Sequence, residues 1–574
     1  MKEQVYINKT SEVYDAIVIG SGISGGWAAK ELCERGLKTL MIERGRVVEH
    51  RKDYTGENTP MWRQEHRGRV ENLLTDQQHS VQKQCYAFGN TTKQFFGNDR
   101  DLPYQTKEGT TFSWIRGNQL GGKSLTWHRQ CYRLGEYDFN ANKVDGYGTD
   151  WPIRSKDIEK WYSHVEIHAG ISGSKENLPN LPDSEFLPPF EMMTIEKDMQ
   201  EKFSKLYPER PMIMGRTAHL TQPTDLHISQ GRIQCQARNE CHAGCSYGAY
   251  FSTQSSTLPA AAKTGNLHIA PNSVVHSLIY DEKTNRVKGV RVIDNDDLSE
   301  REYFANVIFV CASTIGSTQI LMNSISKKFP NGIANSSGVL GHYLMDHNFN
   351  GVASGEVEGY ENEYYKGRRP TGLMIPNFFY KPDRQRDFLR GYALHASAYR
   401  EGWEAQQAQD GLGVEYKNKL KQAGKWHFQL AAQGEMLPRF ENQMRLHPSL
   451  KDKWGIPQIE FDVRFSDNEK MMMEDAVEQS IKMLKAAGLK NVSGNTMHGP
   501  PGLAIHELGT ARMGRDAKTS ILNGFNQSHD IPNLFVTDGA SFCSSAVQNP
   551  SLTFMALTAR AVDYAVKEIA AKRI

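Results

Sequence analysis

The 574-residue sequence predicts a mixed α/β chain in which a parallel nucleotide-binding sheet is assembled from separated segments, with a second unit inserted between them. Three observations carry that expectation. Strand, glycine turn, helix and strand follow one another over 15–43; an alternating hairpin and a buried strand occupy 267–310; and the last ~80 residues return to strand, glycine turn and helix.

The first element, Asp-Ala-Ile-Val-Ile over 15–19, is an apolar run of buried-strand length. Gly20, Gly22 and Gly25 then form a G-x-G-x-x-G turn. The first glycine permits the tight bend, the second lets backbone approach a pyrophosphate, and the third lets helix pack on strand. A helix over 26–35 follows, its free N–H groups facing phosphate oxygens. A strand over 38–43 ends on Glu43, where a carboxylate can accept hydrogen bonds from both ribose hydroxyls of an adenosine and would repel a 2′-phosphate. Glycine turns recur for structural reasons, so the turn alone is a weak signal. Strand, helix, strand and acid together predict a dinucleotide site, without separating FAD from NAD.

Residues 47–110 are polar, rich in Arg, Gln, His and Asn, and lack sustained periodicity, which suits a lid or long surface excursion. A glycine pair lies within 114–127, and 150–159 reads as a turn into a capped helix. Two alternating runs over 267–294, split at 281–285, predict a hairpin; 306–310 is a further buried strand, ending in a small-residue turn at 312–316. The aromatic-rich stretch to 495 mixes short strands with helices such as 467–487. The expected division is therefore 1–350 for the first parts of the nucleotide-binding domain, including the lid and a cysteine loop at 230–250, 351–495 for a substrate domain built on an antiparallel sheet, and 496–574 for the C-terminal part. No internal repeat interrupts this order.

With 68 basic against 66 acidic side chains and a net charge of +2, no strong field draws the chain toward nucleic acid. No run approaches the roughly 20 apolar residues that cross a bilayer. The first residues lack an apolar signal-peptide core, so the expected compartment is cytoplasmic, or periplasmic if a signal-bearing partner carries the chain. Eight cysteines are too few for a disulfide scaffold. Cys33, Cys85, Cys131, Cys311 and Cys543 are scattered and read as small buried residues.

His506 stands just before a glycine turn, in His-Glu-Leu-Gly-Thr-Ala-Arg-Met-Gly, and Asn549 just before a helix, in Asn-Pro-Ser-Leu-Thr. Alcohol oxidation needs a base with a pKa near working pH, which histidine has. It also needs a group that holds the hydroxyl without competing for its proton, which asparagine supplies. Singly, each has a plainer reading, as a structural histidine and a helix cap. Trp403 and Trp426 can stack on a sugar, but core packing more often explains such a tryptophan.

These segments, together with 116–122, 307–319, 341–346 and 534–539, occur in the order found in the glucose-methanol-choline (GMC) oxidoreductases, which the chain resembles nearly end to end. The resemblance implies a Rossmann-like FAD-binding domain of discontinuous segments and makes the cofactor FAD. It matches His506 to the family's active-site base and Asn549 to its second position. It places Gly121 and Gly122 near the flavin ring, Asp538 and Gly539 at the phosphate and ribityl region, and Val275 on the adenine side, with Ser24, Arg44, Arg116, Ser124, Asn549 and Ser551 as further cofactor contacts. Some members link flavin to a histidine soon after the glycine pair; here Thr126 takes that place with His128 nearby, so noncovalent FAD is expected.

Cys235, Cys241 and Cys245 form a C-x5-C-x3-C cluster that no helix or strand requires. Three unrelated thiols, or a zinc site with His242 as fourth ligand, are alternatives. The spacing resembles a bacterial GMC branch, the large subunits of sugar dehydrogenases, in which three cysteines hold a [3Fe–4S] cluster. Reduced FAD holds two electrons and a cytochrome takes one at a time, so such a cluster can pass them on singly. Ser246 stands where that branch has proline.

The implied function is oxidation of a CH–OH group on a sugar or glycoside, with glucoside 3-dehydrogenase the preferred reaction. His506 takes the proton, hydride passes to flavin N5, and electrons leave through the iron–sulfur cluster to a cytochrome c acceptor. The implied partners are that haem protein and a small subunit with an export signal. Gluconate 2-dehydrogenase, glucose 1-dehydrogenase, an O2-using oxidase and a non-catalytic electron-transfer subunit are the alternatives.

Overall fold

The computed structural model describes residues 4–7, 12–68, 70–363, 371–379, 386–402 and 411–574, so Trp403 lies outside the described residues. The first βαβ unit forms where the glycine pattern places it. Strand Val13–Ile19 is buried from Ala16 onward, and the helix runs Ile23–Glu34, three residues earlier than its apolar pattern suggests, because it starts inside the glycine motif. Strand Thr39–Ile42 pairs parallel with Val13–Ile19, Ile17 opposite Leu40.

The main sheet runs in the order Val5–Tyr6, Leu267–Ala270, Thr39–Ile42, Val13–Ile19, Glu300–Val310, Arg286–Asp294, Ser273–Asp281. Strand Glu300–Val310 is longer than the apolar run at 306–310 predicts because it forks. Its first half pairs antiparallel with Arg286–Asp294, and its second half runs parallel to Val13–Ile19 and to Leu534–Val536. One face of the sheet buries Ala16, Val18, Met41, Phe309 and Phe535 against helices Ile23–Glu34 and Ser551–Ala570, through Ala28, Leu32, Ala561 and Val562. Chain from both ends thus builds one sheet, with the strand C-termini at 19, 42 and 310 opening on one side, where doubly wound sheets place ligands.

A second, antiparallel sheet has the order Lys490–Thr496, Gly351–Val357, Trp426–Gly434, Tyr392–Arg400, Leu373–Ile375, Ile213–Met214. Alternation at period two separates its faces. Tyr392, Leu394, Ala396 and Ala398 lie with Trp426, Phe428, Leu430 and Ala432 in a core shared with helices Thr194–Leu206 and Asp467–Ala486. Trp426 is therefore a core residue, its indole N–H donating to the Tyr360 carbonyl at 2.8 Å. Strand Ile213–Met214 and helix Thr194–Leu206 join this unit from chain that precedes residue 351; a two-residue strand shows no alternation for the sequence to betray. The polar stretch at 47–110 carries a small core of its own, Val48, Tyr54, Ala87, Phe95 and Phe96 with Ile115 and Leu125, and its strand Gln105–Thr106 pairs with Pro457–Asp462.

Candidate active site

A cavity of about 760 Å³ runs from the glycine turn to the second sheet. At one end Gly20 adopts φ +95°, and a Cβ there would stand 2.4 Å from the Cys311 carbonyl oxygen. Gly25 is closer still to its neighbour: a Cβ would meet the Gly20 carbonyl oxygen at 1.9 Å, so this position serves helix–strand packing and does not line the cavity. Gly22 is the opposite case. A Cβ on it would touch nothing within 4 Å, because it borders the open cradle at the helix N-terminus, where free N–H groups favour an anion.

Glu43 lines the same end, accepting from the Ser21 and Gly45 amides at 3.1 and 2.9 Å; burial pushes its carboxyl up. Gly121 turns at φ +90° with its amide donating to the Ser21 hydroxyl at 2.8 Å, so it braces the cradle from behind. Ser24, Arg44, Arg116, Gly122, Ser124, Val275, Asp538, Gly539 and Ser551 all border the cavity. Asp538, pushed up to about 6 by burial, caps the turn at 539–541 through the Ala540 amide. Arg116 lies over the Trp114 ring at 4.1 Å, with its Nε buried and unpartnered, as is Asn118 Oδ1 beside it. A cradle that a side chain would fill and polar atoms left bare along its walls fit the dinucleotide that the glycine pattern predicts.

At the other end stand His506 and Asn549, 3.4 Å apart between Nε2 and Nδ2. The protons on the imidazole follow from its neighbours. His347 Nε2 lies 2.9 Å from the Ala546 carbonyl and must donate to it, which leaves His347 Nδ1 a bare acceptor. His506 Nδ1, 3.0 Å from that atom, is then the protonated nitrogen, and His506 Nε2 turns a lone pair toward Asn549 and the cavity. Burial, then the neighbouring His347, Lys123 and His395, holds the His506 pKa well below the usual histidine value; burial likewise brings His347 down to about 4. Both rings are neutral at pH 7.

The loop before His506 is held from below. Asp346 accepts the amides of Gly502 and Ala504 on one oxygen, at 2.6 and 3.2 Å, and that of His506 on the other at 3.0 Å. Ile505, a β-branched residue at φ +63°, is thereby kept in a strained conformation immediately before His506. Burial and Glu507 push Asp346 up to about 7. Lys123 reaches Glu507 at 2.8 Å beside the cavity. His347 and Asp346 were not singled out from sequence: they meet His506 across about 160 residues, and only the polar His-Asp pair at the end of a strand-like run, 342–347, signals them.

The three cysteines converge on a separate pocket, Cys235, Cys241 and Cys245 bordering it with His219 and Tyr250. The donor set has the number and type that a three-thiolate cluster needs. The space between them is about 20 Å³, room for one water. Among the described residues no three His, Cys, Asp or Glu side chains are arranged as a ready metal site. Burial raises the Cys235 and Cys241 thiols, Cys241 to about 11. Ser246 has its own role: its amide donates to Glu57 at 2.9 Å and its hydroxyl to the same carboxylate, bonds that proline could not make, tying the cysteine loop to the 47–110 excursion. Arg129 joins pocket and cavity, donating to the Leu125 and Cys241 carbonyls at 2.8 and 3.2 Å over the Tyr250 ring.

A nucleotide cradle at the strand ends, leading to a neutral imidazole whose free lone pair meets a carboxamide, defines an oxidoreductase that works with a bound dinucleotide. The chain belongs to the GMC oxidoreductases, matching that family over residues 14–349 and 438–558. It is accordingly an FAD-dependent oxidoreductase acting on CH–OH groups. It is 27% identical to 2-methyl-1,2-propanediol dehydrogenase of Mycolicibacterium austroafricanum over 96% of this chain and 94% of that one. Identity is 25% to the fructose dehydrogenase large subunit of Gluconobacter japonicus, over 97% and 98%. It is 22% to the gluconate 2-dehydrogenase flavoprotein of Pantoea cypripedii, over 97% and 94%. The fold also matches pyridoxine 4-oxidase from Mesorbium loti, with a TM-score of 0.59 at 15% identity, covering 96% of this chain and 99% of that one. Formate oxidase from Aspergillus oryzae matches with a TM-score of 0.61 at 14% identity, covering 98% and 99%.

Proposed function

We propose that the protein is a dehydrogenase for sugars or glycosides, with oxidation of a glucoside at C3 the preferred reaction. The observation that carries this reading is the fixed tautomer of His506. Its Nε2 lone pair faces the cavity, ready to take the hydroxyl proton, while Asn549 Nδ2 beside it donates to the same hydroxyl oxygen. On taking the proton His506 becomes a cation against Asn549 and the neutral His347, with the Asp346 clamp holding its backbone still. FAD in the cradle supplies a two-electron acceptor for the hydride that leaves the carbinol carbon.

The diol, ketose and sugar acid in the three relatives' names all carry a second hydroxyl beside the first, which supports a polyhydroxylated substrate. Contacts of Gly20, Gly22, Ser24, Glu43, Arg44, Arg116, Gly122, Ser124, Val275, Asp538, Gly539 and Ser551 with the cofactor belong to the same proposal, with Gly25 and Gly121 supporting from outside. Flavin is held without a covalent link, since the position that would carry one is Thr126. Cys235, Cys241 and Cys245 are the proposed ligands of a [3Fe–4S] cluster, whose chemistry is one-electron transfer to a cytochrome. A small partner subunit with an export signal accords with the fructose and gluconate relatives being named as a large subunit and a flavoprotein component.

An anaerobic titration of the purified holoprotein with methyl glucoside, glucose and gluconate, alongside iron analysis and product identification, tests this. The expected result is flavin bleaching by the glucoside, a 3-keto product and about three irons per chain, with His506→Ala retaining flavin but reducing it roughly two to four orders of magnitude more slowly. Near-normal reduction in that variant removes the base assignment, and absent iron removes the cluster.

A further inference from the structure

The second sheet buries its apolar face and turns the other toward the cavity. On that face strand Tyr392–Arg400 places His395, and strand Trp426–Gly434 places Gln429 and Gln433, all three bordering the space that His506 and Asn549 enter from the opposite side. His395 Nε2 lies 2.6 Å from Gln433 Oε1. Beyond this one bond the pair is unsatisfied: His395 Nδ1 and Gln433 Nε2 are both buried without a partner, and Gln433 is completely buried. The ring of Phe349 stands 6.1 Å from both His395 and His506, so one aromatic wall spans the two groups.

The chemistry left over does not depend on how the amide is oriented. If His395 Nε2–H donates to Gln433, the ring offers a bare Nδ1 acceptor and the amide an N–H donor. With the amide turned over, the ring offers an Nδ1–H donor and the amide a carbonyl acceptor. Either way one donor and one acceptor face the cavity, the pair of roles that one alcohol hydroxyl fills. Asn549 Oδ1, also buried and unpartnered, adds an acceptor on the far side. Buried polar atoms are seldom left bare in a folded protein unless a ligand or water completes them.

We propose that His395 and Gln433 form a clamp for a second hydroxyl, so that the site selects substrates carrying a hydroxyl next to the one oxidised. The inference rests on the reading of His506 as the base, which fixes where the first hydroxyl sits. Gln429 and Phe349 line the clamp and set how the rest of a ring lies.

The test compares anaerobic flavin reduction by trans-1,2-cyclohexanediol and by cyclohexanol, which share a ring and differ in the second hydroxyl, in the wild-type holoprotein and in Gln433→Met and His395→Phe. Two variants at different strands are used so that a folding defect in one leaves the other informative, each being checked for flavin content. Wild type is expected to prefer the diol in kcat/KM, and each variant to lower that preference by about 10- to 100-fold, the scale of losing one or two buried hydrogen bonds. A preference that is absent in wild type, or unchanged in both variants, overturns the clamp while leaving His506 as base. Failure of both alcohols and of every sugar to bleach the wild-type flavin overturns the base assignment and the clamp with it.

Discussion

At the scale of single residues, the two glycines that flank the first turn separate binding from packing. Gly22 has φ −65°, which any residue adopts, and open space where its Cβ would be, so Gly22→Ala leaves the polypeptide unstrained and fills the cradle instead. The expected outcome is an apoprotein that melts like wild type but retains flavin about tenfold or more weakly, read from a flavin titration. Gly25→Ala places a methyl 1.9 Å from the Gly20 carbonyl oxygen, which only a backbone shift relieves, and costs about 1–3 kcal/mol of stability by denaturant unfolding. Equal flavin binding in the first variant would dismiss the cradle. These glycines and Glu43 are legible because they stand at short, fixed spacings, whereas His506 and Asn549 stand out only through the order of segments shared with the family. His347 and Asp346 were not, because what makes them useful is contact with a loop 159 and 160 residues away, and sequence separation carries no trace of it.

At the scale of elements, the second sheet divides its labour by face. Leu430 is fully buried among Phe428, Leu394 and the helix Asp467–Ala486, whereas Gln429, one residue earlier, points to the cavity. Leu430→Ala is therefore expected to lower stability by about 2–5 kcal/mol, and Gln429→Ala to change it by less than about 1 kcal/mol, in parallel urea unfolding experiments. A reversal of the two would mean that the faces are assigned wrongly. The alternation that separates these faces is present in the sequence, with Ala393, His395 and Ser397 on one strand and Gln429, Ala431 and Gln433 on the other. The sequence predicts short strands of an antiparallel sheet in this aromatic-rich stretch but not which face meets the cavity, because the pairing that brings both polar rows to one surface is set by tertiary register. Where an element is short, as in Ile213–Met214, or mostly irregular, as in 47–110, local pattern has little to report and the fold is decided by what the segment packs against.

At the scale of the whole molecule, burial of imidazole governs the response to acid. His50, His128, His227 and His347 are held down to about 4 and His242 to about 3, burial being the first cause in each. His168, His219, His268, His276, His395 and His506 are lowered as well. Between pH 6.5 and about 4 the unfolded chain protonates these rings and the folded one does not, so acidification favours unfolding. Buried carboxyls act in the opposite sense. Asp138 and Asp346 are pushed up to about 7 and Asp538 to about 6, with Glu43, Glu435 and Asp452 also raised. In the same window the folded state holds their protons while the unfolded state releases them, so acidification favours folding at those sites. The imidazoles are more numerous and their cost is set by the same burial, so they decide the sign. The melting temperature of the isolated protein is expected to fall by roughly 5–10 °C from pH 6.5 to pH 4.5 at constant ionic strength, measured by calorimetry. A flat or rising profile would mean that the raised carboxyls, Asp346 beneath the 502–506 loop among them, outweigh the buried histidines.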